Sequence, residues 1–184
     1  EKFMKEALKE ARKALEKEEV PVGAVIVKDG KIIARAHNIK ESKKDSTCHA
    51  EILAIQKACK KLDSWRLLDC EMYVTLEPCS HYGKTPPCAD LIVAKKLKRV
   101  VVGCLDPFAK VQGRGIKKLQ DAGIDVIVGV LEKECMALNK HFMTFHSKQR
   151  PFVTLKWAQS ADGFIGAAEG EPRAMISNSM TTAL

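Results

Sequence analysis

The stretch TLEPCSHYGKTPPC, residues 75–88, carries two cysteines nine positions apart, Cys79 and Cys88, and each directly follows a proline. The run EMYVTL, residues 71–76, precedes the first Pro-Cys pair and predicts a buried strand. The second pair opens CADLIVAKK, whose apolar spacing predicts a helix. A further stretch, CHAE at residues 48–51, places a histidine where another helix is predicted to begin. Nitrogen and sulfur donors therefore lie at three boundaries between predicted elements.

His49, Cys79 and Cys88 form the kind of donor set that a catalytic zinc ion uses, because such an ion takes three protein ligands and keeps a fourth position for water. Thiolates at helix starts are favoured, since the helix dipole and the metal both stabilise the anion. Glu51 lies two residues beyond His49 and can reach the water without binding the metal. We therefore predict one zinc ion per chain, with Glu51 as the proton carrier. A purely structural zinc site would need neither the open position nor Glu51.

The seven cysteines are an odd number in a chain that is not a short secreted scaffold, which favours a reducing compartment. Cys48 adjoins His49, but adjacent residues rarely face one metal, so Cys48 is interpreted as structural. The other cysteines outside the donor set are interpreted as core residues: Cys59, Cys70, Cys104 and Cys135. Residues 1–18 are charged throughout, and no apolar run approaches the ~20 residues that span a bilayer. We expect a cytoplasmic protein with no membrane partner.

The remaining patterns alternate between helix and strand and predict an α/β fold. Apolar residues recur at helical spacing over residues 2–18, and two strand patterns joined by Asp29-Gly30 predict a hairpin. Residues 39–48 are interpreted as a polar loop. The later predictions are a helix from residue 49, the strand 71–76, a helix from residue 88, the strand KRVVVGC, the helix GIKKLQDAG, the strand DVIVGV and a helix over 132–145. This order predicts a mixed sheet, parallel in its later part, sandwiched between helices.

A boundary is predicted near SKQRPF, residues 147–152, where Arg150-Pro151 ends the preceding helix pattern. Residues 1–146 are expected to form the zinc-binding domain. FVTLKWA, residues 152–158, has the pattern of a new strand. Residues 147–184 are therefore interpreted as a linker and the start of a truncated second domain.

The formal net charge is +8 and the pI is about 9.1, which favours an anionic partner, either a phosphorylated small molecule or RNA. The alternative is a set of solvated Lys-rich helices, for which the first predicted helix, with five lysines, is an example. Aromatic residues make up only 5% of the chain, so stacking platforms for nucleic acid are scarce.

Residues 1 to about 146 resemble the cytidine-deaminase-like superfamily, whose H-x-E and P-C…C signature matches HAE and the two Pro-Cys pairs. From Cys79 onward the chain resembles the bifunctional deaminase/reductase of riboflavin biosynthesis. The segments that carry this resemblance are EPCSHYGKTPPC, DPFAKVQGRGIKKLQDAGIDV and RPFVTLKWAQSADG. The eight residues between the two cysteines are specific to that branch, because the RNA-editing branch has two.

From Glu1 to Cys79 the chain is more similar to tRNA-specific adenosine deaminases. EVPVGAVIVKDGKIIARAHN, HAEILAIQKACKKL and WRLLDCEMYVTLEPC carry this resemblance. The riboflavin family usually has Asn-Pro before VGAVIV and a His–Gly stretch before HAE, whereas this chain has Val20-Pro21 and DSTC. The chain could thus be a natural intermediate or an engineered chimera of the two branches.

The riboflavin resemblance implies the diaminopyrimidine ribosylamino phosphate as substrate, a cytidine-deaminase-like three-layer sandwich as fold, and a homo-oligomer. Lys84 and Thr85 lie in the loop that joins two predicted zinc ligands, so we expect them to bind the phosphate of the substrate. His81, in the same loop, is expected to donate a hydrogen bond to the substrate or to the shell around the zinc. For Lys84 the alternative is a solvated loop lysine. The adenosine deaminase branch implies tRNA as the alternative partner and gives Asn38 a base-reading role, whose alternative is a turn residue.

QGRG, residues 112–115, predicts a backbone nest before a helix that could hold phosphate. The full riboflavin enzyme also uses NADPH in its reductase domain. EPRAMISN departs from the Trp-containing version of that domain, and no reductase activity is predicted for these residues alone.

Overall fold

The computed structural model describes residues 1–83, 85–108 and 111–157 and divides the chain into two units, Glu1–Pro151 and Phe152–Leu184. The first unit is built on a five-stranded sheet with the order β2-β1-β3-β4-β5. Its strands are β1 (Gly23–Lys28), β2 (Lys31–His37), β3 (Cys70–Leu76), β4 (Arg99–Cys104) and β5 (Asp125–Val128).

The sheet is mixed, as predicted. Strand β1 pairs antiparallel with β2 and β3, whereas β3, β4 and β5 are parallel. The last pair in the β3–β4 ladder is Leu76 with Cys104, so both strands end at the same edge of the sheet. Ligand sites of parallel sheets form at the carboxyl ends of strands, and the loops after β3 and β4 begin at this edge.

Seven helices are described: α1 (Lys2–Leu15), α2 (Lys40–Lys43), α3 (Ala50–Leu62), α4 (Cys88–Ala94), α5 (Arg114–Asp121), α6 (Glu132–Leu138) and α7 (Lys140–Lys148). Helices α1 and α6 contact each other and pack on one face of the sheet, while α3, α4 and α5 form a connected row on the other face. The predicted three-layer sandwich is thereby confirmed.

The core lies on both faces of the central strands. Consecutive residues along these strands are buried: Ala24, Val25 and Ile26 in β1, and Val100, Val101 and Val102 in β4. Such unbroken apolar runs are typical of strands covered on both faces. Helix α1 approaches β1 so closely that a Cβ at Gly23 would collide with the carbonyl oxygen of Ala7. Only glycine fits at this position.

The predicted hairpin is confirmed between β1 and β2. Its turn residues Asp29 and Gly30 have φ values of 50° and 70°, the left-handed conformation that a two-residue type I′ turn requires. Helix α1 ends at Leu15, three residues before its predicted end.

Two local predictions were wrong. The segment 39–48 contains a helical turn, α2, whose backbone N–H groups at Glu41 and Ser42 are bound by the buried carboxylate of Glu19. The helix predicted over 132–145 is broken at Asn139, whose side chain is buried and donates to the carbonyl oxygen of Pro21. Both features depend on contacts with residues that are distant in sequence, and the spacing of apolar residues within a short segment cannot reveal such contacts.

The strand predicted over residues 152–158 is also wrong for its described part. Residues 152–157 are not in a strand, and Val153 and Leu155 are exposed, so the apolar alternation has no buried face to pack against within the described residues. The strands and turns predicted further on lie outside the described residues.

Candidate active site

Three element boundaries bring the predicted metal ligands together. His49 is the residue directly before α3, Cys79 lies three residues beyond β3, and Cys88 is the first residue of α4. Their donor atoms all lie within 4.8 Å of one another. The Cys88 thiol lies 3.5 Å from His49 Nδ1, and the backbone N–H of Cys88 donates to Cys79 Sγ at 3.2 Å.

This arrangement fits a zinc ion. Tetrahedral coordination with ordinary zinc–sulfur and zinc–nitrogen bond lengths places a sulfur and a nitrogen ligand about 3.6 Å apart. The observed 3.5 Å between Cys88 Sγ and His49 Nδ1 matches that spacing. Two thiolates and one imidazole are also ligands that zinc prefers over Mg²⁺ or Ca²⁺.

The electrostatics favour a cation at the same place. Hydrogen bonds from Cys88 and His49 lower the pKa of the Cys79 thiol to about 4 against the opposing effect of burial. The hydrogen bond to Cys79, together with burial, raises the pKa of Cys88. The pair therefore holds one negative charge and retains one proton. A metal ion bound to both sulfurs would replace that proton, as expected where metal binding releases protons from thiols.

Glu51 lies in the first turn of α3 and is only 4% exposed. Burial raises the pKa of its carboxyl group, and the nearby imidazole of His49 opposes that rise. A carboxyl group beside the donor atoms can both accept and return a proton, and a raised pKa makes its carboxylate a stronger base. The position and chemistry of Glu51 are therefore those of a proton carrier.

A cavity of about 680 Å³ opens over these residues at the carboxyl edge of β3 and β4. Its floor includes His49, Glu51 and Cys79, and one wall is the loop between Cys79 and Cys88. A volume of this size suits a nucleoside-sized ligand.

The structure places three of the four predicted substrate residues around this cavity: His81, Thr85 and Asn38. The ring of His81 packs edge-on against Phe108, and its Nδ1 atom is buried without a hydrogen-bond partner in the described part of the chain. An unpaired buried nitrogen at a cavity wall is available to a ligand. Lys84, the fourth, lies outside the described residues.

Asn38 has a structural role that the sequence did not indicate. Its side-chain oxygen accepts the N–H of Ala50, the first residue of α3, at 2.9 Å, and its amide nitrogen donates to the carbonyl oxygen of Val20 at 3.0 Å. The side chain thus caps the helix that carries Glu51 and directly follows His49.

The predicted nest at residues 112–115 exists, but it binds an anion of the protein itself. The buried carboxylate of Glu77 accepts the backbone N–H groups of Asp106, Gly113, Gly115 and Ile116 at 2.9–3.3 Å. A Cβ at position 115 would collide with the carbonyl oxygen of Pro78, which explains the glycine there. The interpretation of these residues as a phosphate site is wrong, because Glu77 already occupies the N–H groups.

The cavity residues that were not singled out from the sequence include Glu19, Asp106, Phe108 and His146. Asp106 is buried, which raises the pKa of its carboxyl group. Its position just after β4, beside the β3 strand that leads to Cys79, is the one signal that could have revealed it. His146 of α7 packs against Phe108 with ring centroids 5.1 Å apart, and no local motif marks it.

None of the seven cysteines, all of which lie among the described residues, forms a disulfide. Among the helices of the described ranges, none has both the length and the apolar character to cross a membrane.

Comparison with known proteins finds relatives in both of the branches that the sequence motifs resemble. Residues 1–104 match the family described as the cytidine and deoxycytidylate deaminase zinc-binding region. The chain is 44% identical over 173 residues to the riboflavin biosynthesis protein RibD of Aquifex aeolicus, covering 93% of this chain and 46% of that protein. It is 48% identical over 139 residues to the tRNA-specific adenosine deaminase of Bacillus subtilis, covering 73% of this chain and 83% of that enzyme.

A solved structure from Thermotoga maritima, a diaminohydroxyphosphoribosylaminopyrimidine deaminase/5-amino-6-(5-phosphoribosylamino)uracil reductase, matches with a TM-score of 0.83 and 43% identity. The match covers 98% of this chain and 50% of that one. The chain thus spans about half the length of the riboflavin-biosynthesis proteins that it matches.

Proposed function

The chain belongs to the cytidine and deoxycytidylate deaminase zinc-binding family, and on this premise we propose that it is a zinc-dependent hydrolytic deaminase of the diaminohydroxyphosphoribosylaminopyrimidine intermediate of riboflavin biosynthesis. One observation carries the choice of substrate. The eight residues between Cys79 and Cys88 form a cavity wall through His81, Gly83 and Thr85, and this loop length is the one that resembles the riboflavin branch.

The reaction exchanges an exocyclic amine of the pyrimidine for oxygen. Water supplies the oxygen, a carbon–oxygen bond forms, the carbon–nitrogen bond breaks, and ammonia leaves. His49, Cys79 and Cys88 would hold the zinc ion, which would lower the pKa of a bound water and stabilise the developing negative charge.

Glu51 moves the protons. Its carboxylate accepts one proton from the attacking water and donates it to the ring nitrogen. It then carries the second proton, from the newly added hydroxyl group, to the amine, which leaves as ammonia. Burial suits this cycle because it raises the pKa of the carboxyl group and so makes the carboxylate a stronger base.

The substrate is bound by the loop between Cys79 and Cys88, which lines the cavity. His81 offers its unpaired Nδ1 atom to a polar group of the substrate, and Thr85 offers a hydroxyl to the phosphate. Lys84, between them in sequence, provides the positive charge for that phosphate.

Residues 147–184 are proposed to be a linker and the first part of a reductase-like domain. The similarity to the riboflavin relatives supports this, because it extends through 93% and 98% of the chain and therefore beyond residue 146. NADPH would be a cofactor only together with a complete domain of that kind. We place the protein in the cytoplasm, where reducing conditions maintain the free thiols of its seven cysteines.

A second candidate is adenosine deamination in tRNA, favoured by the 48% identity to the Bacillus subtilis enzyme. The hydrogen bonds of Asn38 weigh against it. The side-chain oxygen and amide nitrogen of this predicted base-reading residue both bind the backbone, so they are less available to a base.

One assay separates the two candidates. The zinc-loaded protein is incubated with the pyrimidine intermediate and, in parallel, with an anticodon stem-loop that contains adenosine, and ammonia is measured. We expect release from the pyrimidine. Release from the RNA alone would reject the proposed substrate, and release from neither would indicate a chimera whose two halves do not match.

A further inference from the structure

Tyr82 lies in the loop between the candidate ligands Cys79 and Cys88, and its position is held from outside the cavity. The residue is 74% exposed, so packing contributes little to its placement. Its hydroxyl group donates a hydrogen bond of 2.9 Å to Oδ2 of Asp90, a residue in the first turn of α4. This hydrogen bond connects the middle of the loop to the helix that begins at Cys88.

Asp90 is in turn bound to a third element. Its other carboxylate oxygen, Oδ1, accepts a hydrogen bond from the ammonium group of Lys118 in α5. Burial by itself would raise the pKa of Asp90, but the hydrogen bonds from Lys118 and Tyr82 outweigh it and lower the pKa. Asp90 is therefore a charged acceptor, which makes both of its hydrogen bonds stronger than neutral ones.

The neighbours of Tyr82 in the loop face the cavity instead. His81 precedes it and lines the cavity with its ring against Phe108, and Thr85 lines the same wall. Within the loop, the N–H of Gly83 donates to the carbonyl oxygen of Thr85. Restraint of Tyr82 on the outer side therefore restrains the orientation of His81 on the inner side.

We propose that Tyr82 is a positioning residue: its hydrogen bond to Asp90, which Lys118 holds in place, sets the orientation in which the loop presents His81 and Thr85 to the substrate. The inference rests on the proposed function and deepens it, because it makes substrate recognition depend on a contact that lies outside the cavity. The hydrogen bonds that Tyr82 and Lys118 make to Asp90 do not include a candidate metal ligand. Loss of either hydrogen bond should therefore weaken substrate binding and leave the rate of the chemical step unchanged.

The test compares the two tyrosines of the chain. Tyr82→Phe removes the hydroxyl group that binds Asp90, and Tyr73→Phe removes a hydroxyl group that binds Glu71 on β3, away from the cavity. We expect Tyr82→Phe to raise KM for the pyrimidine intermediate about fivefold, the effect of one ordinary hydrogen bond, while kcat and zinc content stay at wild-type values. Tyr73→Phe should leave KM unchanged.

Asp90 provides a rescue. Asp90→Asn keeps one oxygen that can accept from Tyr82 but loses the charge and the oxygen that binds Lys118, so its KM should lie between those of the wild type and Tyr82→Phe. Asp90→Ala should match Tyr82→Phe, and the double variant Tyr82→Phe/Asp90→Ala should be no worse than either single variant. An unchanged KM in Tyr82→Phe, or additive effects in the double variant, would overturn the proposal.

Hydrogen exchange separates failure of this proposal from failure of the proposed function. Backbone amides of residues 80–85 should exchange faster in Tyr82→Phe than in the wild type or in Tyr73→Phe. If the wild type does not deaminate the pyrimidine, the proposed function fails. Faster exchange would then still support the restraint by Tyr82, and unchanged exchange would reject it.

Discussion

At the scale of single residues, the proposed reaction depends on Glu51 and on the donor atoms beside it. A buried carboxyl group is costly unless its charge is compensated, so its presence on the first turn of α3 needs a reason. Proton transfer supplies that reason, because the same burial raises the pKa of the carboxyl group, and perturbed pKa values of this kind occur at sites of acid–base catalysis.

Glu51→Gln should retain zinc and the fold but lose activity by about 10²–10⁴-fold, the usual contribution of general acid–base catalysis. The substitution preserves shape and removes only the ability to carry a proton. Ammonia release and zinc content are measured together, with Glu134→Gln on the exposed face of α6 as the control. Full activity of Glu51→Gln would refute its role.

Cys79→Ala should abolish stoichiometric zinc binding, because it removes one of three ligands and the one with the lowered thiol pKa. Elemental analysis of the purified protein measures this directly. Cys104→Ala is the matched control, since this buried cysteine lies in β4 and donates to the carbonyl oxygen of Thr75. The ligand assignment is wrong if both variants hold equal amounts of zinc.

At the scale of elements, the segment after β4 is held by one side chain. Glu77 leaves β3 directly before the Pro78-Cys79 pair, and its carboxylate binds four backbone N–H groups from residues 106–116. The same segment carries Asp106 and Phe108 to the cavity. Glu77 thus joins the strand that leads to a candidate metal ligand to the segment that carries Asp106 and Phe108.

Glu77→Gln should lower the free energy of unfolding by about 2 kcal/mol, because an amide NH₂ group replaces one charged acceptor and faces backbone N–H groups. Thermal or denaturant unfolding measures the change. Glu16→Gln, on the exposed end of α1, serves as control and should have little effect. Equal stability of both variants would show that the N–H groups of residues 106–116 do not depend on the carboxylate.

The elements that were predicted correctly are those specified by local chemistry. Asp29-Gly30 determines a turn by its own backbone preferences, and the Pro-Cys pairs and HAE mark element boundaries with residues adjacent in sequence. The features that were missed depend on long-range contacts. Glu19 stabilises α2, Asn139 breaks a helix by binding Pro21, and the nest at residues 112–115 is filled by Glu77.

At the scale of the whole molecule, the recognised superfamily and the three-layer fold are confirmed, and they place all three donor atoms at one edge of the sheet. The choice between two related substrates is not a property of the fold. We expect it to depend on the loop after Cys79 and on the segment after β2, whose sequences resemble the riboflavin branch and the adenosine deaminase branch respectively.

We expect a homo-oligomer in solution, as the family resemblance implies. Light scattering at the concentration used for the activity assay gives the mass directly, against the 20.4 kDa of one chain. A monomeric mass would contradict this expectation and would mean that residues of one chain alone form the cavity.

The central claim is that water replaces an amine of the pyrimidine intermediate at the site formed by His49, Glu51, Cys79 and Cys88. The most direct measurement is the mass of the product after the zinc-loaded protein acts in water enriched in heavy oxygen. The account predicts a product in which one amine is lost and one heavy oxygen atom is gained, with an equal amount of ammonia released. A substrate recovered with unchanged mass, from protein that carries one zinc ion per chain, would contradict it.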